Sequence, residues 1–266
     1  MRTEPLPPPG PAQDPGALTA LALRLLGDDP WTPEFPVPGD AAARRRVLRA
    51  VLNVRGPAPM DPGLLGVLDA VLDGERRQRP VTDVSELPAP VSVWHGDITR
   101  LAADAVVNAA NDALLGCFQP LHDCVDNAIH SAAGPRLREE CHRIMSARGR
   151  PEPTGTATLT PGYHLPAPFV LHTVGPIVRG PLSAGHEAAL ARSYRACLDL
   201  AAEVPRIRSV AFCGIGTGVF GFPKGPAARI AVATVRDWLA ARPGRLDRVV
   251  FVAFTAEDLE FYRELR

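Results

Sequence analysis

Apolar residues recur at helical spacing through the first third of the chain and in short strand-like runs after it. In "DAAARRRVLRAVLNVR" (residues 40–55), Val47, Leu48, Val51 and Leu52 fall on one helical face, with Asp40 where a cap belongs. "DPGLLGVLDAVLDGERRQR" (61–79) starts with Asp61 as a second cap and Pro62 in the first turn, a position that tolerates proline. Residues 17–80 therefore read as helices. The apolar run "ALTALALRLL" within them is too short to span a bilayer.

After "LPAP" (87–90) the pattern changes. "VSVWHG", "DAVVNAA", "TATLTPGY", "PFVLHTVGP", "RSVAFCGIG" and "DRVVFVAF" read as strands. Helical period occupies residues 125–145 and the neighbourhoods of 186–203 and 225–241. Strands alternating with helices predict a layered α/β domain with a largely parallel sheet over 88–266. Residues 17–87 form a helical N-terminal extension with no evident chemistry, expected to pack on that domain as a cap. The Pro-rich start, residues 1–16, reads as a disordered tail.

Composition narrows the function. The 266 residues carry 29 basic and 29 acidic side chains, so no global positive field attracts nucleic acid and no polybasic stretch reads a membrane. Five scattered cysteines are not a disulfide framework, and the N-terminus lacks a signal-peptide pattern, so a soluble cytoplasmic protein is expected.

Two of the five cysteines flank a histidine in "LLGCFQPLHDC" (114–124). Cys117, His122 and Cys124 offer two thiolates and an imidazole, a donor set that suits zinc. The spacing is not that of a zinc finger, no fourth local ligand is evident, and Asp123 is expected to point away. Three protein donors leave one coordination position open, the mark of a catalytic zinc. The plainer reading is a pair of buried thiols near a surface histidine.

"CGIGTGVFGFPKG" (213–225) follows an apolar strand and precedes a helix. Its glycines allow backbone amides to turn inward as a nest for a diphosphate, helped by the next helix's N-terminus. Residues 216–221 match G-x-G-x-x-G, but too late in the chain for a dinucleotide fold, and a simple glycine-rich turn remains open. Asp97 ends a strand, where a carboxylate can accept from the exocyclic amine of adenine. Asn108 and Asn111 close the next strand and offer donors and acceptors to sugar hydroxyls. Each of these can also be a cap or turn residue. Val125, Ala128, Ile129 and Ala132 make a helical stripe that places Asp126 in a first turn, as a dipole partner or a base beside the metal. His130 reads as a packed histidine rather than a fourth ligand.

Together these stretches resemble the macrodomain family, ADP-ribose-binding α/β/α modules. "GDIT", "DAVVNAAN", "DNAIHSAAG", "TGTATLTPGYHLPAPFVLHTVGP" and "GIGTGVFGFPKGPAA" follow the family's order. "CFQPLHDC", in place of the usual glycine-rich run, and the "LRAVLNVRGPAPM" appendage resemble the zinc-containing branch found with certain microbial sirtuins. Gly216 departs from a serine common there. The resemblance implies a three-layer α/β/α domain with a mixed central sheet and one Zn2+ per chain on Cys117, His122 and Cys124. Asp97 and the Ile98 amide would hold adenine. Gly214, Ile215, Gly216, Thr217, Gly218, Val219 and Phe220 would wrap the diphosphate and distal ribose. Phe222 would pack on that ribose, Asn108 and Asn111 would border it, and Asn111 and Asp126 would be catalytic.

The implied activity is removal of ADP-ribose from mono-ADP-ribosylated protein at carboxylate-linked sites, with a sirtuin-type ADP-ribosyltransferase as functional partner. The rivals are a non-catalytic ADP-ribose reader and an O-acetyl-ADP-ribose deacetylase, with a nicotinamide-dependent dehydrogenase further off.

Overall fold

The computed structural model describes residues 14–263. The extension consists of three helices, α1 (Pro15–Gly27), α2 (Ala41–Val54) and α3 (Pro62–Gln78). Each opens on an aspartate whose carboxylate accepts from first-turn amides: Asp14, Asp40 and Asp61. Pro15 and Pro62 occupy first-turn positions that have no intrahelical amide bond to lose. Of the residues expected in a disordered tail, Pro15 and Gly16 lie in α1 and Asp14 caps it; residues 1–13 lie outside the described residues. Leu18, Leu23, Leu26, Leu48, Leu64 and Leu68 give the extension a core of its own. Burying each such leucine contributes about 1.5–3 kcal/mol.

The larger domain runs β1 (Thr82–Asp83), β2 (Val91–His95), β3 (Leu101–Ala102), β4 (Ala105–Ala109), α4 (Val125–Ala133), α5 (Pro135–Arg148), β5 (Ala157–Pro161), β6 (Phe169–Thr173), α6 (Ala184–Glu203), β7 (Ser209–Phe212), α7 (Lys224–Ala241), β8 (Arg248–Ala253) and α8 (Ala256–Arg263). Short 3-10 turns occupy Val84–Glu86 and Ile98–Arg100. The main sheet has the order β2-β8-β7-β4-β6-β5. Its pairings are parallel except β5 with β6, which makes the sheet mixed. β1 pairs with β3, which ties residues 82–83 to the α/β layers, upstream of the expected boundary at 87/88.

Alternation along the strands sorts the core in two. Val107, Leu171, Val210, Phe212, Val249 and Phe251 meet α6, α7 and α8. Val106, Val170, Ala211 and Val250 face the other way, onto Ile129, Leu137 and Cys141 of α4 and α5. The single helical stretch expected over 125–145 is divided at Gly134, whose φ of +89° ends α4, with Pro135 starting α5. A Cβ at Gly134 would lie 2.6 Å from Leu72 Cδ1, so the break also admits α3. No described helix is long and apolar enough to cross a membrane.

Candidate functional site

Four parallel strands, β2, β8, β7 and β4, end at one edge of the sheet, and the loops that follow them enclose a cavity of about 680 Å³. The carboxyl ends of strands are where open α/β sheets hold ligands. Asp97, Asn111, Cys117, His122, Cys124 and Asp126 line it, together with Gly214, Gly216, Thr217, Gly218, Val219 and Phe220. Most of the residues picked from sequence are thus brought to one place.

Asp97 caps the turn after β2, and its Oδ1 accepts from the Thr99 amide (3.0 Å) and hydroxyl (2.8 Å). Both bonds fall on one oxygen, so the carboxylate can cap the turn and still accept at Oδ2. The Ile98 side chain is buried in the core, which leaves its backbone, not its side chain, for any ligand.

After β7 the chain makes the glycine-rich turn. Gly216 and Gly221 have φ of +74° and +72°, the left-handed region that glycine enters freely. Thr217 Oγ1 donates to the Gly214 carbonyl, and the Phe222 amide to the Gly216 carbonyl. Val219 stands 79% exposed at the rim. One expectation changes here, that for Phe222. The Ile215 side chain is fully buried, so at that position only backbone can reach a ligand. Phe222, 1% exposed, packs in the core beneath α7 and not on the cavity; Phe220 faces the cavity instead. Gly175, not singled out from sequence, backs the loop: a Cβ there would come within 2.9 Å of Ile215 Cγ2 and 3.3 Å of Gly216 Cα. The apolar wall made by Phe254, Phe261 and Tyr262 was also not foreseen. Lys224 lines the cavity but is paired with Glu257 (2.8 Å) and Asp258 (2.9 Å).

Asn108 does not border the cavity. Alternation on β4 turns it, with Val106, toward α4 and α5, and it is fully buried. Its Nδ2 donates to Asp126 Oδ1 (2.8 Å) and lies 3.2 Å from His172 Nδ1. Asn111 lines the cavity with both ends of its amide engaged: Nδ2 donates to the Gly116 carbonyl and Oδ1 accepts from Ala113. It shapes the loop that carries Cys117, His122 and Cys124 from within. Burial pushes the Asp126 carboxyl up to about 6, against the Asn108 hydrogen bond and the charge of Arg138.

The ligand atoms of Cys117, His122 and Cys124 lie within 4.8 Å of one another, with Cys117 Sγ 3.3 Å from His122 Nδ1. Cys124 is the N-cap of α4 and accepts from the Asn127 amide. Burial pushes its thiol up to about 11, and the neighbouring Cys117 adds to the rise. Two soft donors and an imidazole, half-buried and mutually unfavourable as bare thiolates, fit a zinc ion; Asp123 is not part of the group. Among the described residues no fourth donor joins them, so one position would remain open.

A second donor group, His130, Cys141 and His172, is wholly buried under the site. The His130 and His172 ring centres lie 6.1 Å apart, and among the described residues neither His130 nitrogen has a hydrogen-bond partner. Its Nε2 is 3.6 Å from Asp126 Oδ1. Burial holds the imidazole well below its usual range, so it is neutral. The three residues lie far apart in sequence on three elements, which hid the group.

The Macro domain model matches residues 107–231. A protein-ADP-ribose hydrolase of Treponema medium is 44% identical over 249 residues, covering 91% of this chain and 94% of that protein. A probable bifunctional ADP-ribose hydrolase/ADP-ribosyltransferase of Fusarium oxysporum is 40% identical over 85% of this chain and 41% of its own length. The Trypanosoma brucei macrodomain in complex with ADP-ribose superposes with a TM-score of 0.63 at 32% identity, covering 83% of this chain and 94% of that one. With the cavity at the strand ends, the glycine-rich turn and these relatives in hand, the chain belongs to the macrodomain family.

Proposed function

We propose that this protein is a protein-ADP-ribose hydrolase that releases ADP-ribose from carboxylate-linked, mono-ADP-ribosylated proteins with the help of one zinc ion. The observation that carries the reading is the placement of three components on one cavity: Asp97, the glycine-rich turn, and the Cys117–His122–Cys124 group with Asp126 behind it. Asp97 accepts from the adenine amine. The amides of residues 214–220 take the diphosphate, and the distal ribose reaches the donor group. Zinc, when bound there, would polarise an oxygen of the ribose or of water and lower its pKa. Asp126, oriented by Asn108, moves the proton. Water adds across the bond between the anomeric carbon and the protein carboxylate, giving free ADP-ribose and the unmodified acid.

The hydrolase relatives support the activity. The Fusarium relative, whose name joins hydrolase and transferase, supports a functional pairing with an ADP-ribosyltransferase. On our reading that partner is of the sirtuin type, which the resemblance of "CFQPLHDC" to the sirtuin-linked branch supports. The test is ADP-ribose release from a carboxylate-linked substrate by the protein as purified and by Cys124→Ala. Release lost in the variant while ADP-ribose still binds supports a zinc-dependent hydrolase. Equal release removes the metal from the mechanism. Tight binding without release from either makes the protein a reader.

A further inference from the structure

We infer that α2 of the N-terminal extension braces the loop carrying the metal-type donors and that Asn53 is a positioning residue for that loop. This rests on the zinc reading above. The loop from Leu115 to Cys124 has no regular structure, and Leu121, immediately before His122, has a φ of +55°. A branched side chain rarely enters that region, and a residue held there needs its surroundings to keep it. The Leu121 amide is held from outside the domain: it donates to Asn53 Oδ1 at 3.0 Å.

Asn53 is 2% exposed and uses both ends of its amide. Its Nδ2 donates to Ser131 Oγ (3.0 Å), and Ser131 donates to Asn127 Oδ1 (3.2 Å). Arg49, one turn earlier on α2, donates to the same Asn127 oxygen (3.0 Å). Asn127 then reaches the loop twice, through Nδ2 to the Gln119 carbonyl (3.1 Å) and through its amide to Cys124 Sγ (3.4 Å). Arg138 closes the other end. It donates at 2.7 Å to Leu115 on the loop and to Leu52 and Arg55 at the end of α2, and it lies 4.6 Å from the Phe118 ring centre. The loop is thus held at residues 115, 118, 119, 121 and 124 by a network that ends on α2. Partners of this kind orient metal ligands and commonly govern how tightly the metal is held.

The alternative is that these bonds only dock the extension. Docking has separate means on α3, where Asp69 pairs with Arg136 (2.6 Å) and His164 (3.0 Å), and Asp73 with His164 (3.1 Å). Those contacts touch no residue of the loop, so they supply the control.

The experiment follows transfer of zinc from the full-length holoprotein to a colorimetric chelator. Asn53→Ala should release zinc about ten- to a hundredfold faster than wild type, while Asn53→Asp, which keeps an acceptor for Leu121, should stay within about threefold. Asp69→Asn should lower the melting temperature and leave the zinc release rate unchanged. Wild-type release from Asn53→Ala, or equal acceleration by Asp69→Asn, overturns the inference. Should Asn53→Ala not fold, Arg49→Met takes its place: faster release supports the inference and an unchanged rate overturns it. A wild-type chain that neither carries nor takes up zinc overturns the metal reading itself, a result distinct from all of these.

Discussion

The Asn108 amide donates to the Asp126 carboxylate at 2.8 Å with no solvent between them, since Asn108 is fully buried and Asp126 is 6% exposed. The bond joins the end of β4 to the first turn of α4 and fixes which way the acid faces. Asn108→Ala should therefore separate chemistry from binding. Leaving the buried carboxylate without its donor costs about 1–3 kcal/mol of stability. Turnover should fall by about 10²-fold, at the lower end of what general acid–base groups contribute. ADP-ribose affinity, measured by calorimetry, should hardly change. Equal losses in both would show that Asn108 serves binding as well.

Gly175 backs the glycine-rich turn, close to Ile215 and to the Gly216 backbone, its amide nitrogen included. Gly175→Ala places a methyl 2.9 Å from Ile215 Cγ2 and 3.3 Å from both the Cα and the amide nitrogen of Gly216, so the fully buried Ile215 or the turn behind it must give way. The expected outcome is about tenfold weaker ADP-ribose binding, or about 1.4 kcal/mol, with the melting temperature little changed. Wild-type affinity would mean that the turn gives way at no cost.

Asp97 should read the base through the exocyclic amine. Hypoxanthine lacks that amine, so the wild type should prefer ADP-ribose to its inosine analogue by about tenfold or more, the worth of a hydrogen bond to a charged group. Asp97→Ala should erase the preference. A preference that survives would place base recognition elsewhere on the cavity wall.

Acid should loosen the extension through Asp69. Burial pushes this carboxyl up, but hydrogen bonds from His164 and Arg136 and their charges hold it net below its usual value. A depressed folded value means that the ionised form stabilises the fold. That contribution is present in full above the unfolded value of about 3.9 and is lost as pH falls through the folded value. Melting temperature should drop more steeply below about pH 4 in the wild type than in Asp69→Asn. Identical slopes would show that the pair contributes nothing to folding.

Much of this could be read from the chain because its chemistry is local. The three metal-type donors span eight positions and meet in space, and the glycine-rich turn follows its strand directly. What could not be read depends on direction. Asn108 shares a face with Val106, so strand alternation turns it from the cavity toward Asp126. Phe220 and Phe222 look alike in sequence, and only the turn at Gly221 sends one to the cavity and the other to the core. The extension read as a bland cap because Asn53 meets its partner 68 residues away, a separation without local pattern.

Lys224 stands at the first residue of α7, beside the proposed diphosphate site, yet it is held by Glu257 and Asp258. Among the described residues lining the cavity, the lysine is thus already neutralised, and Asp97, Asp123 and Asp126 also face it. Backbone dipoles, not net charge, must hold the anion. Such dipoles act at contact and fade with distance, whereas attraction between opposite charges reaches about 10 Å at 0.1 M salt. ADP-ribose should then gain no long-range attraction, and added salt, which screens the cavity's carboxylates, should not slow its capture.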